Sequence, residues 1–198
     1  MARMRSEERR RQLLEVSAEL FAQSGYRGTT TAELAKAASV TEPILYRHFD
    51  NKLDLFVTLV DEIGKEVIKA WKATLEGVND PNERLKFLLI GNPSTHDRGS
   101  NAYRVIFQAM TETGRDPEID KPLRKHLTEL HEFLEMELKQ LQGQGAVRTD
   151  ESAATLAWML INVAIGYGMS LPLGVAGQTV TNGKKTMQKL MLDLLAAN

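Results

Sequence analysis

The sequence predicts an all-α protein, with a three-helix N-terminal domain followed by a larger helical domain. Apolar residues recur at spacings of three and four along nearly all 198 residues, which is the period of an amphipathic helix. No alternating, β-branched run is long enough to predict a strand. Since 42% of the residues are apolar, we expect a packed core.

Cap and turn signals predict nine helices in chain order. Thr30 and Glu33 have the spacing of a capping box, which predicts the start of the second helix. Thr41 and Asp150 are expected to cap the third and eighth helices. The glycine-rich stretches 91–100 and 174–183 are predicted loops. The expected helices cover about 6–23, 31–38, 41–49, 52–76, 82–90, 102–113, 122–142, 153–169 and 184–197.

Charge is distributed unevenly although the formal net charge is only -1. Residues 1–11 contain five arginines against Glu7 and Glu8. A locally basic segment attracts polyanions. We therefore expect any nucleic-acid partner to bind at the N-terminal end.

The second and third predicted helices are short and joined by a turn of about three residues. This is the layout of a helix-turn-helix unit, which places its second helix in the major groove of DNA. A plain helical bundle with solvated faces would show the same periodicity. The expected packing residues are Leu34, Ala35, Ala38, Val40, Leu45 and Phe49. The expected outward residues are Glu42, Pro43, Tyr46, Arg47 and His48.

The residues from Thr29 to Leu53 decide between these alternatives. A threonine pair precedes the second helix, Leu-Tyr-Arg-His-Phe occupies the third, and Lys52 follows an Asp-Asn break. This stretch resembles the signature of the tetracycline-repressor (TetR) family of bacterial regulators. The resemblance implies a DNA-binding domain at residues 1–52 and an effector-binding and dimerisation domain at 53–198.

The resemblance also implies roles for individual residues. Hydroxyl and backbone N–H groups of the threonine pair would hold a phosphate, two aromatic side chains would contact the DNA backbone, and Lys52 would anchor a phosphate. Arg47 is the expected reader of guanine. The phosphate and backbone contacts are expected from Thr30, Thr31, Tyr46, His48 and Lys52, and the base-facing positions are Thr41, Glu42, Pro43 and Arg47. Ser39 stands where the family usually has glycine, so we expect a positive φ there.

The larger domain carries aromatic and flexible apolar residues that suit a cavity for a hydrophobic or amphipathic effector. An ordinary core would use the same residue types. The candidate lining residues are Tyr103, Phe107, Met110, Phe133, Met136, Trp158, Met159 and Asn162.

Dimerisation is predicted by two apolar helices near the C-terminus. Residues 152–183 contain no charged side chain, yet the strongly apolar part, 156–165, is too short to span a membrane. Pairing helices 153–169 and 184–197 across a two-fold axis would cover their apolar stripes. The stripe of the last helix comprises Met187, Leu190, Met191, Leu194 and Leu195.

The sequence favours a cytoplasmic regulator over an enzyme. It has no cysteine, no apolar signal region, no phosphate-binding glycine motif and no nucleophile elbow, and no cofactor is expected. The alternatives are a metalloprotein or enzyme using His126, His131 and Glu135, and a helical adaptor. The leading interpretation is a dimeric regulator, by family default a repressor, that binds a near-palindromic operator and is released by a small effector.

Overall fold

The computed structural model describes residues 6–90, 97–170 and 181–197, with side chains described except at 90, 97–101 and 181–187. Within these ranges the chain forms helices and no β-strand, so the all-α prediction is confirmed. The helices are α1 (Ser6–Gly28), α2 (Thr31–Ala37), α3 (Glu42–Leu45), α4 (Lys52–Leu75), α5 (Pro81–Ile90), α6 (Asp97–Thr111), α7 (Pro117–Gly143), α8 (Ala153–Ser170) and α9 (Thr181–Leu195).

Three helix starts differ from the sequence prediction, and the third is that of α9, which begins at Thr181 and so takes residues 181–183 from the predicted loop 174–183. α6 begins at Asp97, inside the stretch predicted as a loop, while residues 91–96 and 174–180 of the predicted loops lie outside the described residues. α7 begins at Pro117 and contains Pro122. The side chain of Asp116 accepts a bond from the N–H of Glu118, and proline at the first helical position loses no intrahelical bond. The bond from Glu118 to Asp116 and the favourable position of Pro117 explain why α7 starts at Pro117, before the predicted start at Pro122.

Two predicted caps also change. Ser152 caps α8, because its Oγ accepts the N–H of Thr155 at 3.1 Å. Asp150 instead forms an ion pair with Arg148. Thr41 occupies the N-cap position of α3 with extended backbone but makes no capping hydrogen bond with its side chain.

The chain divides into two compact units. The N-terminal unit comprises residues 1–64 and 101–125, and the C-terminal unit comprises 65–100 and 126–198. This division reflects packing, and the functional boundary expected between residues 52 and 53 stays a prediction. In the N-terminal unit, Phe56 stacks on Tyr26 at 4.4 Å and meets Phe21 edge-on at 5.2 Å. These rings fix the end of α1 against α4.

The core of the C-terminal unit is built from leucines and aromatic rings of α4, α5, α7 and α8. Trp71 is buried and donates its indole N–H to the carbonyl of Leu88 at 3.2 Å. α5 packs against α9. Leu195 is fully buried in this core, so its assignment to an exposed stripe was wrong, whereas Leu190 and Leu194 are exposed.

α8 is the one helix, among the described residues, that is long and apolar enough to cross a membrane by length and composition. One such helix is weak evidence, since core helices pass the same test. Ala153, Leu156, Ala157 and Ile161 are buried in the C-terminal unit. Trp158 is 44% exposed, so part of the apolar surface of α8 has no cover within this chain's described residues.

Candidate DNA-binding surface

α2 starts with the capping box expected from the sequence. The N–H of Glu33 donates to Thr30 Oγ1 at 3.2 Å, and the Glu33 carboxylate accepts the Thr30 N–H at 2.8 Å. The Thr30 hydroxyl also donates to that carboxylate at 2.8 Å. These bonds to Thr30 lower the pKa of Glu33. The box fixes where α2 begins, and it engages the Thr30 hydroxyl within the protein.

The turn between α2 and α3 is closed by a Schellman motif. The N–H of Val40 bonds the carbonyl of Ala35 at 2.9 Å, and the N–H of Ser39 bonds that of Lys36 at 3.0 Å. This pattern requires a left-handed residue after the C-cap. Ser39 has φ 54° and is the one non-glycine residue with positive φ in the described chain, so the prediction for this position is confirmed.

α3 is shorter than predicted and ends in turns. Regular α-helix covers Glu42–Leu45, and the N–H groups of Arg47 and His48 then bond carbonyls three residues back. Leu45 and Phe49 are buried at 2% exposure each. This packing leaves an exposed set of predicted contact residues, namely Thr41, Pro43, Tyr46 and Arg47.

The first residues of α2 and α3 are joined by one side-chain contact. Thr31 Oγ1 donates to Glu42 Oε2 at 2.8 Å. The resemblance implies that Thr31 holds a phosphate and that Glu42 faces a base. The structure brings these two side chains together and orients the carboxylate of Glu42.

His48 lies in a basic environment. Partial burial lowers its pKa, and the nearby guanidinium groups of Arg47, Arg10 and Arg9 lower it further. Arg10 also lies over the ring of Phe49, 4.9 Å from its centre. The positive charges of arginines in α1 and in the turn after α3 therefore favour the neutral imidazole, which can donate one hydrogen bond and accept another.

Lys52 is held inside the N-terminal unit. Its ammonium donates to the carbonyl oxygens of Tyr26 and Thr29 at 2.9 and 3.0 Å. It also lies 4.6 Å from the centre of the Tyr26 ring. The side chain expected to anchor a phosphate thus fastens the link between α1 and α2 to the start of α4.

The eight candidate effector residues divide between the two units. Tyr103, Phe107 and Met110 belong to the N-terminal unit, where burial raises the pKa of Tyr103. The other five belong to the C-terminal unit: Phe133, Met136, Trp158, Met159 and Asn162.

Phe133 and Met136 line a cleft of about 680 Å³ in the C-terminal unit. Ile68 of α4 completes its apolar floor. The α4 wall contributes Lys65, Lys69 and Lys72, and the α7 wall contributes Glu129 and Glu132. These lysines recur at spacings of four and three residues, which places them on one face of α4 and is a signal of the cleft in the sequence.

The residues of the metalloprotein alternative do not form a three-ligand site. No group of three His, Cys, Asp or Glu side chains is placed to hold a metal in the ranges that the structure describes. His126 is 2% exposed, and burial lowers its pKa to about 4. His131 stacks on Trp158 at 4.7 Å and lies 3.7 Å from Glu135. The metal interpretation is therefore not favoured.

The fold and this surface define a helix-turn-helix DNA-binding protein. Residues 13–59 match the family described as bacterial regulatory proteins, tetR family. Residues 81–197 match the BetI-type transcriptional repressor C-terminal family. The chain belongs to the TetR family and is a transcriptional regulator.

Two curated relatives illustrate the range of the family. The HTH-type transcriptional activator FasR of Mycolicibacterium smegmatis is 30% identical over 106 residues, which cover 54% of this chain and 48% of FasR. The chain thus matches about half the length of that relative. The nucleoid occlusion factor SlmA of Aliivibrio fischeri is 29% identical over 151 residues, covering 75% of this chain and 74% of SlmA.

Solved structures share the whole fold. A transcriptional regulator from Saccharomonospora viridis in complex with choline has a TM-score of 0.88 and 23% identity, over 98% of this chain and 100% of that one. AibR in complex with isovaleryl coenzyme A and operator DNA has a TM-score of 0.72 and 22% identity, over 96% and 98%. Both likenesses concern the fold.

Proposed function

We propose that the protein is a dimeric repressor that binds a near-palindromic operator in the cytoplasm and leaves it when a small effector binds. The observation that carries the DNA-binding part is the α2–turn–α3 arrangement. Its Schellman turn fixes the two helices, and Tyr46 and Arg47, directly after α3, are exposed. Such a unit presents hydrogen-bond donors to groove edges and phosphates.

Each predicted contact residue has a role in this proposal. Arg47 reads guanine, because a guanidinium matches the O6 and N7 acceptors of that base. Tyr46 and His48 contact the DNA backbone, and Lys52 contributes its remaining N–H to a phosphate. Arginines of α1 add groove or phosphate contacts. Thr30 and Thr31 are placed at a phosphate, which the backbone N–H groups at the start of α2 would hold because both hydroxyls donate within the protein. Thr41, Glu42 and Pro43 are placed at base edges.

Repression is supported by the description of the C-terminal family, a transcriptional repressor. FasR is an activator, so a promoter test must distinguish repression from activation. A reporter under the chain's own operator is expected to rise when the regulator is deleted and to fall when it is restored. A fall on deletion would assign activation.

A dimer is supported by the apolar surface of the last two helices. Trp158 and Met169 of α8 and Leu190 and Leu194 of α9 are between 42% and 54% exposed. Covering such a surface with a second copy follows from the hydrophobic effect. Leu190→Glu and Trp158→Glu are expected to turn the dimer into a monomer in sedimentation at micromolar concentration. A monomeric wild-type protein would contradict this part.

An amphipathic effector suits the α4–α7 cleft. Its apolar floor is flanked by lysines on one wall and glutamates on the other, and its volume lies in the range of small-molecule sites. The neighbouring regulators are complexes with choline and with isovaleryl coenzyme A, which are both small molecules with charged and apolar parts. An effector acts only through its different affinities for the DNA-competent and DNA-released states.

DNA binding is tested by selecting bound fragments and then varying the salt concentration. The logarithm of the affinity is expected to fall linearly with the logarithm of salt. Arg47→Ala should weaken the selected site by about 1–3 kcal/mol and relax one base position. Lys139→Ala removes an exposed charge of the C-terminal unit and serves as the control. Equal binding of all sequences would contradict an operator.

The effector part is tested with choline and isovaleryl coenzyme A as probes, and by native mass spectrometry for a retained molecule. A cognate probe is expected to lower operator affinity at saturation. Phe133→Ala, which opens the cleft floor, should weaken that response while Lys139→Ala should not. If a retained molecule is found and saturating amounts leave operator affinity unchanged, the release model fails.

A further inference from the structure

Glu42 places a carboxylate on the surface that the proposed function assigns to DNA. The phosphate backbone is a polyanion, so a carboxylate here weakens binding unless it gains a specific contact. Glu33 is the acidic residue in the first turn of α2, and its carboxylate is bonded to Thr30 in the capping box. Glu42 is not the N-cap residue of α3, because the helix begins at Glu42 and Thr41 occupies the N-cap position.

The carboxylate of Glu42 is held in place by another helix. Thr31 Oγ1 donates to Glu42 Oε2 at 2.8 Å, and the two residues are 11 positions apart in the sequence. The remaining oxygen, Oε1, can still accept a hydrogen bond from outside the protein. A side chain fixed before binding loses less rotamer freedom on binding.

We propose that Glu42, oriented by Thr31, selects a cytosine in the operator half-site. This inference rests on the proposed function, because it concerns the operator that the regulator binds. A carboxylate only accepts hydrogen bonds. In the major groove cytosine offers the N4 amino donor, whereas guanine offers two acceptors and thymine an acceptor and a methyl group.

Discrimination against adenine follows from the same chemistry. Adenine presents its N6 donor beside the N7 acceptor, a pair that an amide matches with one donor and one acceptor. A carboxylate bonds N6 but sets a second negative oxygen near N7. Specificity at this position therefore arises largely from repulsion of the wrong bases.

Thr31 is a positioning residue in this account. Its hydroxyl proton is used on Glu42, so the loss of that hydroxyl should free the carboxylate to adopt other rotamers. Thr31→Val keeps the shape and removes the bond, and Thr31→Ser keeps the hydroxyl. If Thr31 acts through Glu42, the serine variant retains the base preference and the valine variant does not.

The test is selection of bound duplexes from a random-sequence library, followed by affinities for the selected site and its single-base variants. Wild-type protein is expected to require cytosine at one symmetric position, with about tenfold weaker binding for other bases there. Glu42→Gln should change the preferred base to adenine. Thr31→Val should reduce the discrimination several-fold without changing the melting temperature by more than Thr31→Ser does.

Glu33→Gln is the matched control. It removes one negative charge from the same surface, and glutamine also serves in a capping box. It should raise affinity for all sequences alike and leave the cytosine preference intact. A shift of preference in this variant would overturn the inference.

The outcomes separate the inference from the proposed function. A near-palindromic selected site without a required cytosine, or one whose cytosine survives Glu42→Gln, overturns the role of Glu42 and leaves operator binding standing. Selection that enriches no sequence overturns the proposed function, and the inference falls with it.

Discussion

Arg84 and Glu137 form a doubly hydrogen-bonded ion pair in the interior of the C-terminal unit. Arg84 Nε and Nη2 donate to the carboxylate at 2.7 and 2.9 Å, and the two side chains are 19% and 5% exposed. Arg84 Nη1 also donates to the carbonyls of Leu75 and Val78. One guanidinium thus ties the end of α4 and the start of α5 to α7.

Removing the acid should destabilise the protein strongly. Glu137→Leu leaves the partly buried guanidinium of Arg84 with its two carbonyl bonds but without its charged partner. Breaking a fully buried pair costs about 3–5 kcal/mol of unfolding free energy, so we expect a loss near the lower end of that range. Urea denaturation measures the change. Glu83→Leu breaks the exposed pair with Lys86 and should leave stability nearly unchanged. Equal unfolding free energies of these two variants would show that the pair of Arg84 and Glu137 contributes no more to stability than the exposed pair does.

Ser39→Gly should stabilise the protein. Ser39 has φ 54°, and a left-handed conformation costs a residue with a Cβ about 1 kcal/mol. Glycine avoids this cost, although its freer unfolded chain offsets part of the gain. The melting temperature of Ser39→Gly should rise, and Ser39→Ala, which keeps the Cβ, should show no such rise. A lower melting temperature for the glycine variant would contradict the prediction.

The sequence predicts those features that depend on neighbouring residues. The capping box of Thr30 and Glu33 and the left-handed Ser39 each follow from a few consecutive positions. The contact of Thr31 with Glu42 depends on how two helices cross, and that of Arg84 with Glu137 joins residues 53 positions apart. Periodicity assigns such residues to a face but does not specify their partners.

The effector candidates show the same limit more clearly. Residue type predicts the aromatic and methionine candidates, and the structure distributes them over two units. Phe133 lines the α4–α7 cleft, while Tyr103 is buried in the N-terminal unit. An apolar side chain favours apolar surroundings, and both a core and a cavity provide them. Residue type therefore does not predict which of the two a side chain lines.

His126 should make the protein less stable in acid. Burial lowers its pKa from 6.5 to about 4, and its Nδ1 has no hydrogen-bond partner among the described residues. As the pH falls below 6.5, His126 becomes protonated in the unfolded chain, whereas in the folded chain it stays neutral until the pH approaches about 4. This contribution to stability is therefore complete above pH 6.5 and is lost as the pH falls toward about 4.

The expected loss from this group between pH 7 and pH 5 is about 2 kcal/mol. His126→Leu should be at least as stable as the wild type at pH 7 and should lose less stability at pH 5. Leu130→Met, a buried apolar change on the same helix, is the control and should keep the wild-type pH dependence. If His126→Leu kept that dependence too, another group would be responsible.

Lys52→Met should destabilise the N-terminal unit. The ammonium bonds the carbonyls of Tyr26 and Thr29, and methionine keeps the length of the side chain without its donors. Hydrogen bonds of a charged donor contribute about 1.5–3 kcal/mol, so the melting temperature should fall. Lys36→Met changes an exposed lysine of α2 and should leave it unchanged.

The same variant separates a structural role of Lys52 from a contact with phosphate. Loss of one phosphate contact lowers the slope of log affinity against log salt by about 0.9, whereas loss of a bond within the protein leaves the slope unchanged. We expect both the lower melting temperature and the smaller slope, because two of the three N–H donors bond carbonyls within the protein and the proposed function assigns the third to a phosphate. A stable variant with the smaller slope would assign Lys52 to DNA alone. A destabilised variant with the wild-type slope would assign it to the fold alone.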